Sequence, residues 1–331
     1  MKLSGRLALV TGGAGFIGSH LVDALLECGC SVRVLDDLST GSASNLATAR
    51  ESDRFSFVRG SILDRDTVFA AMSGIDVVFH LAVSNLRLSL TDPWLSHNVN
   101  AGGTLSVLLG AVGQGIERFV YCSSSEVYGS AEDPPMQETH PTTPTTVYGA
   151  SKLAGEHYSM AFMRTHSLPV TIVRPFNTYG PREHLLGPSG EVIPRMVLRA
   201  LNGEGPVVFG DGSQSRDFTY IQDTVAGIVA STEDDSFAGE VVNVARGQEI
   251  SIGQLAEMVR AICETEAPVI YTDERPADVH RQWADVTKLR ERTGISPRTS
   301  LEEGLRNYME WFLSTDPDLD ELLRHTVARN W

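Results

Sequence analysis

The chain of 331 residues carries 42 acidic against 27 basic side chains, and its formal net charge is −15. This charge argues against nucleic acid and anionic membrane surfaces as partners. A hydrophobic content of 42% supplies a full core for one large α/β domain or two smaller ones. No apolar run reaches the length of about twenty residues that a membrane span needs.

Two further features place the protein in the cell. The N-terminus enters a strand-like run without the pattern of a signal peptide. The four cysteines have neither zinc-site nor C-x-x-C spacing; they are Cys28, Cys30, Cys122 and Cys263. We therefore expect a cytoplasmic protein with reduced thiols and no metal site.

Short apolar runs alternate with helical patterns in the first half of the chain. Strands are predicted at 6–12, 31–37, 55–61, 76–82, 117–124 and 170–177, and helices at 19–29, 64–73, 98–113 and 148–166. This alternation predicts an α/β fold, a Rossmann-type doubly wound parallel sheet with helices on both faces. We assign the Rossmann-type domain to residues 1–176.

The pattern becomes less regular after residue 176. Gly and Pro are frequent at 179–195 and 202–214, and helical patterns return at 223–232, 251–265 and 301–314. We predict a smaller C-terminal substrate lobe over 177–331, with some segments returning to the first domain.

The segment TGGAGFIG, residues 11–18, joins the first predicted strand to the first helix. Gly12, Gly15 and Gly18 permit a tight turn and a close backbone approach to a pyrophosphate, which the helix N-terminus stabilises. Position between strand and helix favours a dinucleotide site over a plain Gly-rich turn. Phe16 and Ile17 belong to the same predicted site.

Asp36 ends the second predicted strand. A carboxylate there can accept hydrogen bonds from the adenosine ribose and would repel a 2′-phosphate, so NAD is favoured over NADP. Alone, Asp36 could be a turn residue, but the preceding glycines favour the cofactor role. Asp37 is a further candidate for the same site.

Tyr148 and Lys152 are spaced Y-x-x-x-K at the start of a predicted helix and share one face. A nearby ammonium lowers the pKa of a tyrosine, whose phenolate can take a proton from a hydroxyl as hydride leaves. The spacing is common in proteins. In this chain it is more specific, because a dinucleotide motif and the serine cluster at 123–125 precede it.

Taken in order, these motifs resemble the extended short-chain dehydrogenase/reductases, specifically the NAD-dependent nucleotide-sugar epimerases, dehydratases and decarboxylases. The resemblance covers essentially the whole chain. It is carried by TGGAGFIG, DDLSTG (36–41), HLA (80–82), NVNAGGT (98–104), SSSEVYG (123–129), YGASK (148–152), RPFNTYGP (174–181), GDGSQSRDFTY (210–220) and RPADV (275–279). This set is specific for the family and not for one reaction.

The resemblance implies a role for each matching residue. Ser124 would be the catalytic hydroxyl beside Tyr148 and Lys152. The cofactor would also contact Leu81, Ala82 and Asn100. The nucleotide-sugar would contact Asn177, Arg216, Arg275 and Asp278. The arginine fork suits phosphate oxygens, although each arginine taken alone could be a surface charge.

The resemblance also bears on assembly and on the substrate loop. The helices predicted at 98–113 and 148–166 resemble the pair that forms a four-helix interface in this family, which implies a homodimer. The loop after HLA, VSNLRLSLTDP, is about one residue shorter than the common epimerase pattern. Because that loop touches the sugar in the family, it bears directly on substrate preference.

Glu126 bears on the reaction. Members of the family first oxidise C4 of the sugar with NAD and then epimerise, dehydrate or decarboxylate it. Epimerases generally carry a small or neutral residue at this position, whereas dehydratases and UDP-glucuronate decarboxylases carry Glu. With Ser125 before it, the pair resembles the decarboxylases and the GDP-mannose dehydratases. The alternative is a solvated loop carboxylate.

A decarboxylase must also hold the C6 carboxylate of its substrate. Arg87, Arg182 and His184 are candidates because they lie in loops expected to face the sugar. We expect a UDP-glucuronate decarboxylase, with a UDP-glucose or UDP-glucuronate 4-epimerase as the alternative and a 4,6-dehydratase as the third. A non-catalytic NAD-binding sensor is disfavoured, because such proteins tend to lose the tyrosine or the lysine.

Overall fold

The structure, a computed structural model, describes residues 1–275 and 278–326. The strands are β1 (Leu7–Thr11), β2 (Ser31–Asp36), β3 (Phe55–Arg59), β4 (Val77–His80), β5 (Arg118–Cys122), β6 (Val170–Pro175), β7 (Thr178–Tyr179), β8 (Val207–Phe209), β9 (Ser215–Arg216), β10 (Thr219–Tyr220), β11 (Glu240–Val244), β12 (Ile250–Ser251) and β13 (Ile270–Thr272).

The α-helices are α1 (Phe16–Glu27), α2 (Arg65–Ala71), α3 (Leu86–Thr91), α4 (Pro93–His97), α5 (Thr104–Gln114), α6 (Val147–His166), α7 (Val192–Leu201), α8 (Ile221–Glu233), α9 (Ile252–Ile262), α10 (Thr287–Thr293), α11 (Leu301–Ser314) and α12 (Leu319–Arg324). A π-helical segment, Asn98–Gly103, joins α4 to α5.

Seven parallel strands form the central sheet in the order β11-β6-β5-β4-β1-β2-β3. Strands β4, β5 and β6 are buried along their whole length, as expected of a parallel sheet covered by helices on both faces. The doubly wound fold is therefore confirmed. The strand order reverses between β1 and β4, and ligands of such sheets bind beyond the carboxyl ends of the strands at this point.

The C-terminal part of the chain contributes to both regions. Strand β11 pairs with β6 at the edge of the central sheet, from Glu240 beside Thr171 to Val244 beside Pro175. The sheet therefore extends beyond the boundary placed at residue 176, through a segment that returns to the first domain. The short strands β7–β10, β12 and β13 form separate two-stranded sheets.

Helix α7 lies in a Gly- and Pro-rich segment where the sequence predicted no helix. Pro194 falls in the first turn of α7, where a missing N–H removes no intrahelical hydrogen bond. The proline is therefore compatible with the helix. Within the described ranges, no helix combines the length and apolar character needed to cross a membrane.

Candidate active site

A cleft at the carboxyl edge of the sheet collects most of the predicted site residues. Its lining includes Gly12, Gly15, Phe16, Ile17, Gly18, Asp36, Leu81, Arg87, Ser124, Glu126, Tyr148, Lys152, Asn177, His184, Arg216, Arg275 and Asp278. Four predicted residues are not part of this lining: Asp37, Ala82, Asn100 and Arg182.

The glycine-rich turn approaches neighbouring backbone too closely for side chains. Gly12 has φ of +70°, and a Cβ there would lie 2.6 Å from the backbone nitrogen of Ala82. A Cβ on Gly18 would collide with the carbonyl oxygen of Gly12. Gly15 caps α1 without a side-chain hydrogen bond, so the first N–H groups of the helix are available to an anion. The turn therefore fits the pyrophosphate of a dinucleotide.

Asp36 braces this turn from the end of β2. Its Oδ2 accepts a hydrogen bond from the Ala14 N–H at 2.9 Å, and its Oδ1 accepts one from the Leu38 N–H at 2.8 Å. Burial raises the pKa of Asp36, and these two hydrogen bonds oppose the rise. Each carboxylate oxygen retains a lone pair that a ribose hydroxyl can use.

The exposed neighbour Asp37 accepts a hydrogen bond from the Ser39 N–H at 2.9 Å. Asp37 is not part of the cleft lining. Its placement does not support the predicted cofactor contact.

Asn100 is buried behind the cleft wall. Its amide donates to the Ser84 carbonyl oxygen at 3.0 Å and to Ser151 Oγ at 3.0 Å, and its Oδ1 accepts from the Ser84 N–H at 2.8 Å. Asn100 thus ties the loop after β4 to α6. These internal hydrogen bonds do not support the predicted direct contact between Asn100 and NAD. The backbone of Ala82 packs against Gly12, so this residue supports the glycine-rich turn.

Helix α6 carries Tyr148 and Lys152 on one face. Its N-cap Thr146 accepts a hydrogen bond from the Gly149 N–H at 3.1 Å, which fixes the first turn. Lys152 is 3% exposed, and its Nζ lies 4.7 Å from the centre of the Tyr121 ring. Burial lowers the pKa of Lys152 to about 8, so this side chain is mainly an ammonium at neutral pH.

Ser124 lies beside the phenol of Tyr148, at the carboxyl end of β5. Burial raises the pKa of Tyr148, and a side-chain hydrogen bond with Ser124 opposes the rise. The Ser124 hydroxyl also accepts from the Glu126 N–H at 3.2 Å and so caps the 3₁₀ turn Ser125–Val127. The arrangement can pass a proton from a substrate hydroxyl to Tyr148.

Glu126 projects into the same cleft. Burial raises the pKa of its carboxyl group, whereas the positive charges of Arg216 and Arg87 and a hydrogen bond with Gln282 oppose the rise. A carboxyl group whose pKa is raised can serve as a proton donor as well as an acceptor.

The C-terminal lobe supplies a cluster of positive charge opposite Glu126. Arg216 Nη2 pairs with Asp278 Oδ1 at 2.7 Å, which holds the guanidinium in place. Arg275 stacks 4.4 Å from the centre of the Phe209 ring. Burial and the neighbouring charge of Arg87 lower the pKa of Arg275 to about 9. This mutual repulsion favours an anionic ligand. Pro276 and Ala277 of RPADV lie outside the described residues.

Arg182 is engaged in an ion pair and is not part of the cleft lining. Its Nη1 pairs with Asp23 Oδ2 of helix α1 at 2.8 Å, a placement that does not support the predicted sugar contact. His184 does line the cleft. Burial lowers the pKa of His184, so it is a neutral hydrogen-bonding group at neutral pH rather than a cation.

Gln282 is a residue behind the cleft lining that the sequence did not reveal. It is fully buried, and its amide hydrogen-bonds both Ser125 and Asn177. No motif or spacing in the sequence marks this glutamine.

Comparison with known proteins shows which family this chain belongs to. Residues 8–245 match the NAD dependent epimerase/dehydratase family. A UDP-glucose 4-epimerase of Mycolicibacterium smegmatis is 36% identical over 92% of this chain and 97% of its own length. A UDP-N-acetyl-alpha-D-glucosaminuronate decarboxylase of Bacillus cytotoxicus is 32% identical over 95% and 99%.

A solved structure extends the comparison to dehydratases. The dTDP-glucose 4,6-dehydratase of Streptomyces venezuelae, determined with NAD bound, superposes with a TM-score of 0.90 at 31% identity. The match covers 96% of this chain and 99% of that one. The present chain is thus an NAD-dependent member of the nucleotide-sugar epimerase/dehydratase family.

Proposed function

We propose that the protein is a UDP-glucuronate decarboxylase. The observation that carries this proposal is the Glu126 carboxyl group, placed in the cleft with Arg87 and Arg216 acting on its charge. The substrate of such an enzyme carries a carboxylate at the reacting end of the sugar, next to the carbon that must later receive a proton.

The first step is oxidation at C4 of the sugar. Tyr148 removes the proton of the C4 hydroxyl, with Ser124 hydrogen-bonded between them and Lys152 stabilising the phenolate. Gly12, Gly15 and Gly18 at the amino end of α1 and Asp36 at the end of β2 would hold NAD, which would supply the acceptor for the hydride of C4.

The second step breaks the C5–C6 bond. A C4 ketone makes the uronate a β-keto acid, so carbon dioxide leaves and the electron pair remains as an enolate over C5, C4 and the C4 oxygen. C5 must then take up a proton, and the hydride returns to C4 as Tyr148 gives its proton back to the C4 oxygen, so that carbon dioxide is the only net loss. Glu126 in its acid form can donate that proton, because burial raises its pKa.

The arginines divide the anionic groups of the substrate between them. Arg87 holds the C6 carboxylate before it leaves, and His184 adds a neutral hydrogen bond. Arg216 and Arg275 hold the diphosphate, Asn177 contacts it from the end of β6, and Asp278 contacts the nucleotide ribose. Bidentate guanidinium contacts suit both the carboxylate and the phosphates.

A UDP-sugar 4-epimerase is the second candidate. The similarity to the M. smegmatis UDP-glucose 4-epimerase over nearly the whole chain favours it. An epimerase needs Ser124, Tyr148 and Lys152 but has no use for an acid at Glu126. A 4,6-dehydratase is the third candidate, in which Glu126 would remove the C5 proton.

A panel of donors separates these reactions. The NAD-loaded protein is incubated with UDP-glucuronate, UDP-glucose, UDP-N-acetylglucosamine and GDP-mannose, and the products are analysed by mass spectrometry and NMR. We expect UDP-glucuronate to lose the mass of carbon dioxide, and the Tyr148→Phe variant to form no product. Loss of the mass of water, or an inverted C4 at unchanged mass with every donor, would refute the decarboxylase.

A further inference from the structure

The side chain of Gln282, in the C-terminal lobe, contacts the loop that carries Ser124 and Glu126. It lies between Asp278 and helix α10 and is 0% exposed. Its contacts are made to Ser125, which lies between Ser124 and Glu126, and to Asn177 at the end of β6.

The Gln282 amide is fully used. Its Oε1 accepts hydrogen bonds from Ser125 Oγ at 3.1 Å and from Asn177 Nδ2 at 3.1 Å, and its Nε2 donates to the Ser125 carbonyl oxygen at 3.2 Å. The side chain also hydrogen-bonds the Glu126 carboxyl group. Since a primary amide has two donor hydrogens and two acceptor lone pairs, these contacts account for all four.

These contacts leave Ser125 little freedom. The residue is held at its carbonyl oxygen and at its hydroxyl, inside a 3₁₀ turn that Ser124 caps. The direction in which the Glu126 side chain leaves the backbone is therefore set by Gln282. Asn177 donates to the same Gln282 Oε1 that accepts from Ser125. The orientation of Glu126 is thereby linked to Asn177, which lies on the diphosphate side of the cleft.

We propose that Gln282 is a positioning residue that aims the Glu126 carboxyl group at the sugar and thereby controls the step that follows C4 oxidation. This inference rests on the proposed function in assigning that step to Glu126. It assigns a role in the second step to a residue outside the Ser124, Tyr148 and Lys152 group.

Other charged groups also face Glu126. Arg87 approaches from α3, Arg216 from β9 and Asp278 from the segment after β13, while Tyr148 faces it from α6. The arginines lower the pKa of Glu126, and Asp278 raises it. The Gln282 amide carries no charge. Replacing it with another neutral side chain therefore changes the hydrogen bonding around Glu126 without changing the charge.

The test compares Gln282→Met with wild type and with Gln137→Met. Gln137 carries the same side chain in an exposed hydrogen bond with Asp285, so it is a matched control outside the cleft. NADH absorbance reports C4 oxidation, and mass spectrometry reports the final product. The donor is whichever one the wild-type protein converts, so the comparison remains valid even if the product is not the decarboxylated sugar.

We expect Gln282→Met to slow product formation at least about tenfold more than C4 oxidation, because the hydrogen bonds that orient Ser125 and Glu126 are lost. The hydrogen bond with Gln282 lowers the pKa of Glu126. Without it the acid form persists to higher pH, so the alkaline limb of the product-forming step should move upward. Gln137→Met should match wild type in both measurements.

Two results would overturn the inference: equal slowing of both steps, or an unchanged pH profile. Thermal unfolding and NAD binding show whether Gln282→Met is folded. If it is not, Ser125→Ala removes only the hydroxyl contact and should cause a smaller change in the same ratio. A wild-type product other than the decarboxylated sugar would reject the proposed function, whereas a normal step ratio in these variants would reject the role of Gln282.

Discussion

Glu156 of helix α6 and Arg174 of strand β6 form a bidentate ion pair. Arg174 Nε lies 2.8 Å from Glu156 Oε1, and Arg174 Nη2 lies 2.6 Å from Glu156 Oε2. Both side chains are 5% exposed, and the guanidinium also stacks 4.5 Å from the centre of the Tyr128 ring. Because Glu156 follows Lys152 by one helical turn, the pair fixes α6 to the sheet near the reacting groups.

Glu156→Gln should destabilise the protein by about 3 kcal/mol, because it leaves the buried charge of Arg174 uncompensated. Urea unfolding of the purified variant measures the change. Glu302→Gln is the control, since Glu302 pairs with Arg306 on an exposed helix face. Its effect should stay below about 0.5 kcal/mol. Similar small changes in both variants would contradict the structural importance of the buried pair.

Asp36→Ala should weaken NAD binding by about tenfold or more. The substitution removes a charged hydrogen-bond acceptor from the ribose site and also releases the N–H groups of Ala14 and Leu38. It should also reduce the preference for NAD over NADP, because the repulsion of a 2′-phosphate is lost. Calorimetric titration with both cofactors measures these effects.

Asp37→Ala is the neighbouring control for the cofactor site. Its carboxylate is exposed and accepts a hydrogen bond from the Ser39 N–H. NAD affinity should change by less than about twofold in this variant. If Asp37→Ala weakened NAD binding as much as Asp36→Ala does, NAD affinity would depend on the charge of the whole loop and not on Asp36.

Arg87→Ala should lower kcat/KM for UDP-glucuronate by about tenfold or more, because a guanidinium contact with the substrate carboxylate is lost. Arg182→Ala removes an arginine that pairs with Asp23 outside the cleft lining, and it should have a much smaller effect. Steady-state kinetics on both variants decide the matter. The carboxylate role of Arg87 fails if the two variants behave alike.

Helices α5 and α6 present exposed apolar side chains, and we propose that they form a homodimer interface. Leu109 is 38% exposed and Tyr158 is 36% exposed. Light scattering should give about twice the chain mass of 36.0 kDa for wild type and a monomer for Leu109→Asp. Leu313→Asp, on α11, changes a leucine that is 44% exposed and should leave the mass unchanged. A monomeric wild type would contradict the proposal.

The parts of the fold that could be predicted are those encoded locally. The buried strands have continuous apolar runs, the turn of Gly12 to Gly18 has its own spacing, and Tyr148 and Lys152 share a face by helical periodicity. Each of these patterns lies within a few residues, so a single sequence contains the whole signal.

The remaining features depend on contacts between distant residues. Gln282 hydrogen-bonds Ser125 across 157 positions of the chain, and Arg182 pairs with Asp23 across 159. Neither partner can be inferred from neighbouring sequence. Asn100 illustrates the same limit, since its motif predicts a cofactor contact but its amide is used inside the protein. The function of a polar residue therefore depended on which partner the fold supplied.

We propose that Glu126 acts after C4 oxidation, as the donor of the proton that C5 takes up once carbon dioxide has left UDP-glucuronate. The most direct test follows NADH formation and formation of the C5-protonated UDP-pentose together in wild type and Glu126→Gln after rapid mixing with UDP-glucuronate. We predict that the variant forms NADH within about twofold of the wild-type rate but forms the UDP-pentose about a hundredfold more slowly, because the proton donor for C5 is lost. Equal losses in both signals, or no UDP-pentose from the wild type, would contradict this role of Glu126.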